Sequence, residues 1–243
     1  MDFALPRDLV DYLAELDDFI AREIKPLEEK DDNIRFFDHR REYARTDFEN
    51  GGLPRREWEL LLRDASILAD KAGHWRFSAP KKYGGKDGSN LAMAVIRDRF
   101  AAMGLGLHND LQNEHSIVGN FPFVAMFEHF GTAEQQEEFI LGGFNRTRRV
   151  AFGLTEPDHG SDATHMETRA VRETRGGVPG WRIDGRKMWI TGMHHATHCA
   201  AFCRTSGKDG DARGITCILV PIDTPGMVVD EYLWTFNMPT DHP

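Results

Sequence analysis

The sequence predicts an α+β protein: an all-helical N-terminal domain over residues 1–148, followed by a small antiparallel β-barrel or sandwich domain over 149–243. Two changes of pattern lead there. Up to about Arg148, apolar residues recur at steps of three and four, the spacing that stacks side chains on one helical face. From Arg149 onward the apolar runs shorten, gain β-branched residues and are separated by glycine-containing turns. With 243 residues, 40% of them hydrophobic and 28% charged, the chain has core-forming material for one large or two modest domains.

In the first half, Leu9, Leu13, Leu16, Ile20, Ile24 and Leu27 make the apolar stripe of one helix. Pro6 suits its first turn, and Pro26 is expected to kink or end it. Trp58, Leu61, Leu62, Ala65, Leu68, Ala69 and Ala72 mark a second helix, with Gly73 as its C-cap. The Gly- and Lys-rich stretch 78–90 reads as a loop. A third helix follows Ser89-Asn90, with Leu91, Ala94, Val95 and Ala102 turned inward. Residues 116–130 read as an apolar helix distorted by Pro122. Thr132-Ala133-Glu134-Gln135 fits a capping box opening a short helix to Leu141, which Gly142-Gly143 is expected to stop.

In the second half, residues 197–204 and 214–221 have β-rich composition. Asp184-Gly185, between Trp181-Arg182-Ile183 and Lys187-Met188-Trp189-Ile190, reads as a two-residue hairpin turn. Several short strands at such intervals suggest a barrel or sandwich.

A formal charge of −9 argues against general nucleic-acid binding, which needs a basic surface. No apolar run approaches the roughly 18 residues of a membrane span. The N-terminus Met1-Asp2-Phe3-Ala4-Leu5-Pro6 has no signal- or transit-peptide pattern, and the 3 cysteines (Cys199, Cys203, Cys217) suit a reduced thiol set in a cytoplasmic protein.

The chemistry concentrates in two segments. Ala151-Phe152-Gly153-Leu154-Thr155-Glu156-Pro157-Asp158-His159-Gly160-Ser161-Asp162-Ala163 reads as a strand running into a loop of small and hydrogen-bonding residues. Some twenty-five residues on comes Gly185-Arg186-Lys187-Met188-Trp189-Ile190-Thr191. Thr155 and Thr191 carry hydroxyls at strand ends, Trp189 can wall a flat ring, and Gly160-Ser161 allows close backbone approach to a phosphate. Singly, such a threonine finishes a strand and such a tryptophan fills a hairpin core. Jointly and in this order, Thr155-Glu156-Pro157 with Gly160-Ser161-Asp162, and Gly185-x-Lys187-x-Trp189-Ile190-Thr191, resemble the two signatures of the acyl-CoA dehydrogenase family. Pro80-Lys81-Lys82-Tyr83-Gly84-Gly85 extends the resemblance into the helical half.

The resemblance implies FAD as cofactor. Phe152, Leu154 and Thr155 would lie along the isoalloxazine, with Thr155 donating towards N1/O2. Gly160 and Ser161 would meet the pyrophosphate, and Trp189 and Thr191 would flank the ring, with Thr191 near N5. It further implies α,β-dehydrogenation of an acyl-CoA thioester to the 2-enoyl-CoA, with electrons passing to an electron-transfer flavoprotein or similar acceptor. The family's catalytic glutamate belongs to a C-terminal helical domain that also supplies subunit contacts. No catalytic base is therefore assigned among these residues, and the chain is expected to stop inside its β domain, inactive alone and part of a homo- or hetero-oligomer. Two other descriptions stay open: a partial subunit needing a second chain, and a non-catalytic binding module that keeps the fold. Met103–His115 is expected near the acyl pocket.

Three other groupings are weaker. His194, His195 and His198 suggest a metal site, but they sit in an expected loop with no nearby carboxylate, and no metal is assigned. Cys199 and Cys203 stand four apart on an expected strand, too far for a zinc pair. Ser161, His159 and Asp162 lack the spacing of a hydrolase triad.

Overall fold

Proline at position 6 has no N–H to give and a φ of −54°, close to that of a helix, so the first helix begins directly after it. In the computed structural model, which describes residues 4–109, 117–235 and 238–239, α1 runs Arg7–Phe19. A π turn at Ile20–Ile24 and α2 at Lys25–Glu29 continue it. Pro26 does not end the helix. Its missing N–H and its ring disfavour a regular turn there, and the widened turn just before it absorbs the mismatch. The predicted stripe faces inward, with Leu9, Leu16, Ile20 and Ile24 buried and Leu13 and Leu27 packed at the edge of the same core.

The chain divides into two compact units, Met1–Asp47 with Pro54–Phe144, and Phe48–Leu53 with Asn145–Pro243. Two short strands, β1 (Thr46–Asp47) and β2 (Leu53–Pro54), bracket residues 48–52 in sequence. In the first unit α3 (Arg56–Lys71) buries Trp58, Leu61, Ala65 and Ala69, and Gly73 follows with a left-handed φ of 81°, as a C-cap glycine should. α4 (Asn90–Ala102) is capped by the Ser89 hydroxyl, which accepts from Ala92 N at 3.1 Å. Its buried residues are Ile96 and Phe100, whereas Leu91, Ala94 and Ala102 are exposed, contrary to expectation. The helix is apolar on more than one side, so spacing alone did not select the inward face.

Pro122 opens α5 (Pro122–Phe130) rather than distorting a longer helix, because the first turn needs no N–H from it. The capping box at Thr132 and Gln135 is present and starts α6 (Ala133–Gln135). A π segment (Gln136–Leu141) and α7 (Gly142–Phe144) then carry helical backbone through Gly142-Gly143, which does not stop it. A side chain at 143 would lie 2.4 Å from the Phe123 ring, so the glycine there serves a close approach.

The second unit holds β3 (Val150–Gly153), β4 (Arg169–Arg175), β5 (Val178–Asp184), β6 (His198–Arg204) and β7 (Ile215–Pro221), with short β8 (Trp234–Thr235) and β9 (Met238–Pro239) paired beyond them. β6 is central. β7 lies antiparallel to it, with Ala200 opposite Leu219. β3 lies parallel, with Ala200 opposite Phe152, and β4 joins through Arg169 opposite Arg204. Strands with neighbours on both edges and cover on both faces lose their polar alternation, and Cys199, Ala200, Ala201, Cys203 and Arg204 are all buried.

Helices followed by a sheet are as expected. The sheet is mixed and open, with no closed barrel among the described residues, because residue pattern identifies strands but not the direction of their partners. The hairpin is also elsewhere. β4 and β5 turn at Gly176-Gly177, whose φ values of 58° and 83° meet the demand of a tight two-residue turn. Asp184-Gly185 instead ends β5, and Lys187–Ile190 is irregular. A side chain at Gly185 would come 2.3 Å from Thr168 Oγ1, which explains that glycine without a hairpin.

Residues 110–116, including Glu114 and much of the Met103–His115 stretch, lie outside the described residues, as do Phe236, Asn237 and 240–243. Among the described residues no helix is long and apolar enough to cross a membrane.

Candidate functional site

β3 places Phe152 outward and Gly153 inward. A side chain at 153 would meet Cys199 Sγ at 2.6 Å, so glycine lets β3 lie close on β6. Phe152 is 55% exposed, its ring centroid 4.8 Å from that of Phe202. The strand runs out at Leu154-Thr155, both half-buried, and the backbones of Glu156 and His159 then bond each other reciprocally at 3.2 Å. Gly160 and Ser161 follow, exposed. A Cβ on Gly160 would meet no protein atom within 4 Å, so packing inside the chain does not require that glycine.

Asp162 closes the loop. Its carboxylate accepts from the Thr164 hydroxyl at 2.5 Å and pairs with His165 Nδ1 at 2.7 Å, and these bonds hold it below the ordinary carboxylate range. Asp162 is thereby committed to Thr164 and His165, which removes it from any triad with Ser161 and His159.

A buried ion pair joins the second segment to the first. Lys187 Nζ donates to Glu156 Oε1 at 2.8 Å and to the Leu154 carbonyl at 3.0 Å, and Met188 N donates to the Thr155 carbonyl at 3.0 Å. The Glu156 carboxylate also accepts from Glu167 N at 2.5 Å and Thr168 N at 2.9 Å. The two side chains are only 4% and 13% exposed. Burial pushes the Glu156 carboxyl up, but the bonds from Lys187 and the backbone amides outweigh it and bring it down to about 2. Glu156 is therefore a fixed anion with its lone pairs in use, not a base waiting for a proton.

Trp189 comes two residues after this anchor. It is 47% exposed and has a φ of 62°, a left-handed conformation that a bulky L-residue adopts only when its surroundings impose it. Ile190 is buried and Thr191 exposed. The structure thus brings Leu154 and Thr155 against Lys187 and Met188, with Phe152 and Trp189 exposed on the flanking residues and Gly160-Ser161 on the loop that Glu156 starts.

Elsewhere in the unit, His194 and His195 share a 3₁₀ turn with ring centroids 4.1 Å apart, while His198 is on β6 beside the Thr197 hydroxyl. Burial pushes the Cys199 and Cys203 thiols up to about 11, so both are neutral and poor nucleophiles.

Residues 151–240 match the middle domain of the acyl-CoA dehydrogenases. The Mycobacterium tuberculosis acyl-CoA dehydrogenase FadE34 is 30% identical over 190 residues, 78% of this chain and 24% of that protein. The chain belongs to the acyl-CoA dehydrogenase family. Clostridium sporogenes 3-(aryl)acrylate reductase is 31% identical over 157 residues, covering 64% of this chain and 38% of the reductase. Among solved structures, glutaryl-CoA dehydrogenase from Mycobacterium smegmatis superposes with a TM-score of 0.63 at 25% identity, over 98% of this chain and 52% of that one. The ChsE4-ChsE5 complex from M. tuberculosis gives 0.68 at 19% identity, over 100% of this chain and 53% of that one, a likeness of fold alone. This acyl-CoA dehydrogenase family chain therefore spans about half the length of those solved relatives, and 24% and 38% of the two curated ones.

Sequence reasoning had Glu156 and Lys187 inside the two family signatures but missed their pairing. A signal existed: Lys187 is the cation directly before the apolar run Met188-Trp189-Ile190, and a charge at a buried site needs a partner.

Proposed function

We propose that this chain holds FAD and forms the flavin-binding part of an acyl-CoA dehydrogenase acting on an acyl-CoA thioester. One observation carries the reading. The Glu156–Lys187 pair locks the two signature segments together, while leaving Trp189 exposed in a strained conformation beside them. Strain of that kind, kept on an exposed aromatic, fits a ring-binding wall better than a packing role.

The residues suit the cofactor in kind. Phe152 and Trp189 offer exposed apolar surface to a planar ring, and the Leu154-Thr155 backbone is held by Lys187 and Met188. Thr155 and Thr191 would direct hydroxyls at the ring's polar edge, and Gly160-Ser161 would present backbone N–H groups to the pyrophosphate, where no side chain intrudes. The chemistry supplied by bound FAD is hydride acceptance at N5. The chain's own residues bind and orient the ring and shield one face from water. Glu156 is committed to its anchor, so the base that removes the substrate's α-proton is not this carboxylate.

An electron-transfer flavoprotein is the proposed acceptor. A caffeyl-CoA reductase-Etf complex subunit from Acetobacterium woodii, 29% identical over 157 residues, supports that choice.

The test is the visible absorption spectrum of the purified chain with and without added FAD. A yellow protein whose flavin band shifts on binding, and loses that shift in Trp189→Ala, supports the reading. A colourless chain indifferent to FAD sinks it.

A further inference from the structure

Arg204 ends β6 with its side chain 1% exposed, and the flavin reading gives it no task. Its guanidinium spans four backbone carbonyls. Nη2 donates to Thr164 O at 2.6 Å and Asp211 O at 3.1 Å, and Nη1 donates to Ser206 O and Arg213 O, both at 3.4 Å. Asp209 Oδ1 stands 3.5 Å from Nε. Three of those carbonyls belong to the connection between β6 and β7. The fourth, Thr164, belongs to the loop that carries Gly160 and Ser161, and it accepts a second bond from Gly210 N at 3.0 Å.

A buried guanidinium must be paired, and the β6–β7 connection alone offers it acceptors. Reaching across to Thr164 does something more: it ties two loops that are distant in sequence. The base of residues 156–166 is closed by the Glu156 carboxylate, at the near end, which accepts from Glu167 N and Thr168 N just past the far end. The far end is a 3₁₀ turn, Ala163–His165, held internally by Asp162 and externally by Arg204 and Gly210. Gly160 and Ser161 lie between those two anchors with no side-chain packing of their own to orient them.

We propose that Arg204 is a positioning residue for the Gly160-Ser161 backbone, fixing the far end of its loop so that the amides keep one orientation toward the pyrophosphate of FAD. The inference rests on the flavin reading above. Pre-organised amides bind an anion without a fresh ordering cost, so loosening the anchor weakens contacts to phosphate and leaves contacts to the ring unchanged.

The full chain is titrated with FAD and with riboflavin, which shares the ring and lacks the phosphates. Arg204→Lys keeps the charge, but a single ammonium cannot span four carbonyls. FAD affinity is expected to fall about tenfold while riboflavin affinity stays unchanged. Equal losses for both flavins, or no loss for either, overturn the proposal. Should Arg204→Lys not fold, Asp209→Asn decides, with Arg169→Gln as its control: the exposed Asp209 carboxylate stands 3.5 Å from Arg204 Nε and 3.1 Å from Arg169 Nη2. An FAD-confined loss of about threefold is expected in Asp209→Asn and not in Arg169→Gln, and unchanged FAD binding in Asp209→Asn, or an equal loss in both, overturns the role. A wild-type chain that binds neither flavin overturns the flavin reading itself. Failure of the Arg204 role alone looks different, because the wild type then binds FAD and the variants match it.

Discussion

Lys187 and Glu156 show how much one pair can carry. The carboxylate is 4% exposed, and removing its cation leaves a buried charge with only backbone amides to hold it. Lys187→Met is therefore expected to destabilise the chain by about 3 kcal/mol in urea unfolding. The same pair predicts a pH dependence. Glu156 titrates at about 2 in the folded chain against an ordinary 4.5, so the folded state binds its proton more weakly than the unfolded state does. Its stabilising contribution is complete above the ordinary value and is lost as pH falls from there toward the folded one. Lys187→Met should flatten this acid-side slope, and an unaltered slope would show that other carboxylates produce it. Trp189 gives the complementary case. With its φ of 62°, position 189 favours glycine over any L-residue by about 1 kcal/mol of backbone strain, so Trp189→Gly should be more stable than Trp189→Ala in thermal unfolding while both lose FAD affinity. Equal stability of the two variants would remove the reason to regard the backbone there as strained.

At the scale of elements, glycines and prolines act through their surroundings more than through their usual preferences. Gly143 sits in helical backbone, where alanine ordinarily gains about 1 kcal/mol. Here the added methyl would stand 2.4 Å from the Phe123 ring, and Gly143→Ala should instead lose about 1–3 kcal/mol in thermal or urea unfolding. A stabilised variant would mean that Phe123 moves aside freely. Thr132 is the conventional case: its hydroxyl accepts from Gln135 N and the Gln135 side chain answers at Thr132 N. Thr132→Ala should cost about 1 kcal/mol by the same measurement. The capping box was legible because it depends on four adjacent residues. The buried stripe of α4 was not, because Ile96 and Phe100 became inward only through what packs on them. The Asp184-Gly185 turn was misread for a related reason: Gly176-Gly177 was an equally good turn, and the pairing of Arg175 with Val178 decided between them.

For the molecule as a whole, FAD is expected to act as a stabiliser by mass action. At one hundred times its dissociation constant it should add about 2.7 kcal/mol and raise the melting temperature in a calorimetric scan, and an unmoved transition would refute binding to the folded chain. By itself the sequence determined the order of helices then strands, the inward stripe of the first helix, the capping box, and the two segments that mark the family. All of these depend on residues near one another in the chain, where spacing and side-chain type are sufficient. Tertiary structure alone decided the parallel partners of β6, the open sheet, the union of Glu156 with Lys187, the left-handed backbone of Trp189, and the reach of Arg204 to Thr164. Each of those is a meeting of distant residues or a conformation imposed by neighbours. Local spacing carries no information about which strand edge a run will find, or which carbonyl a buried cation will need.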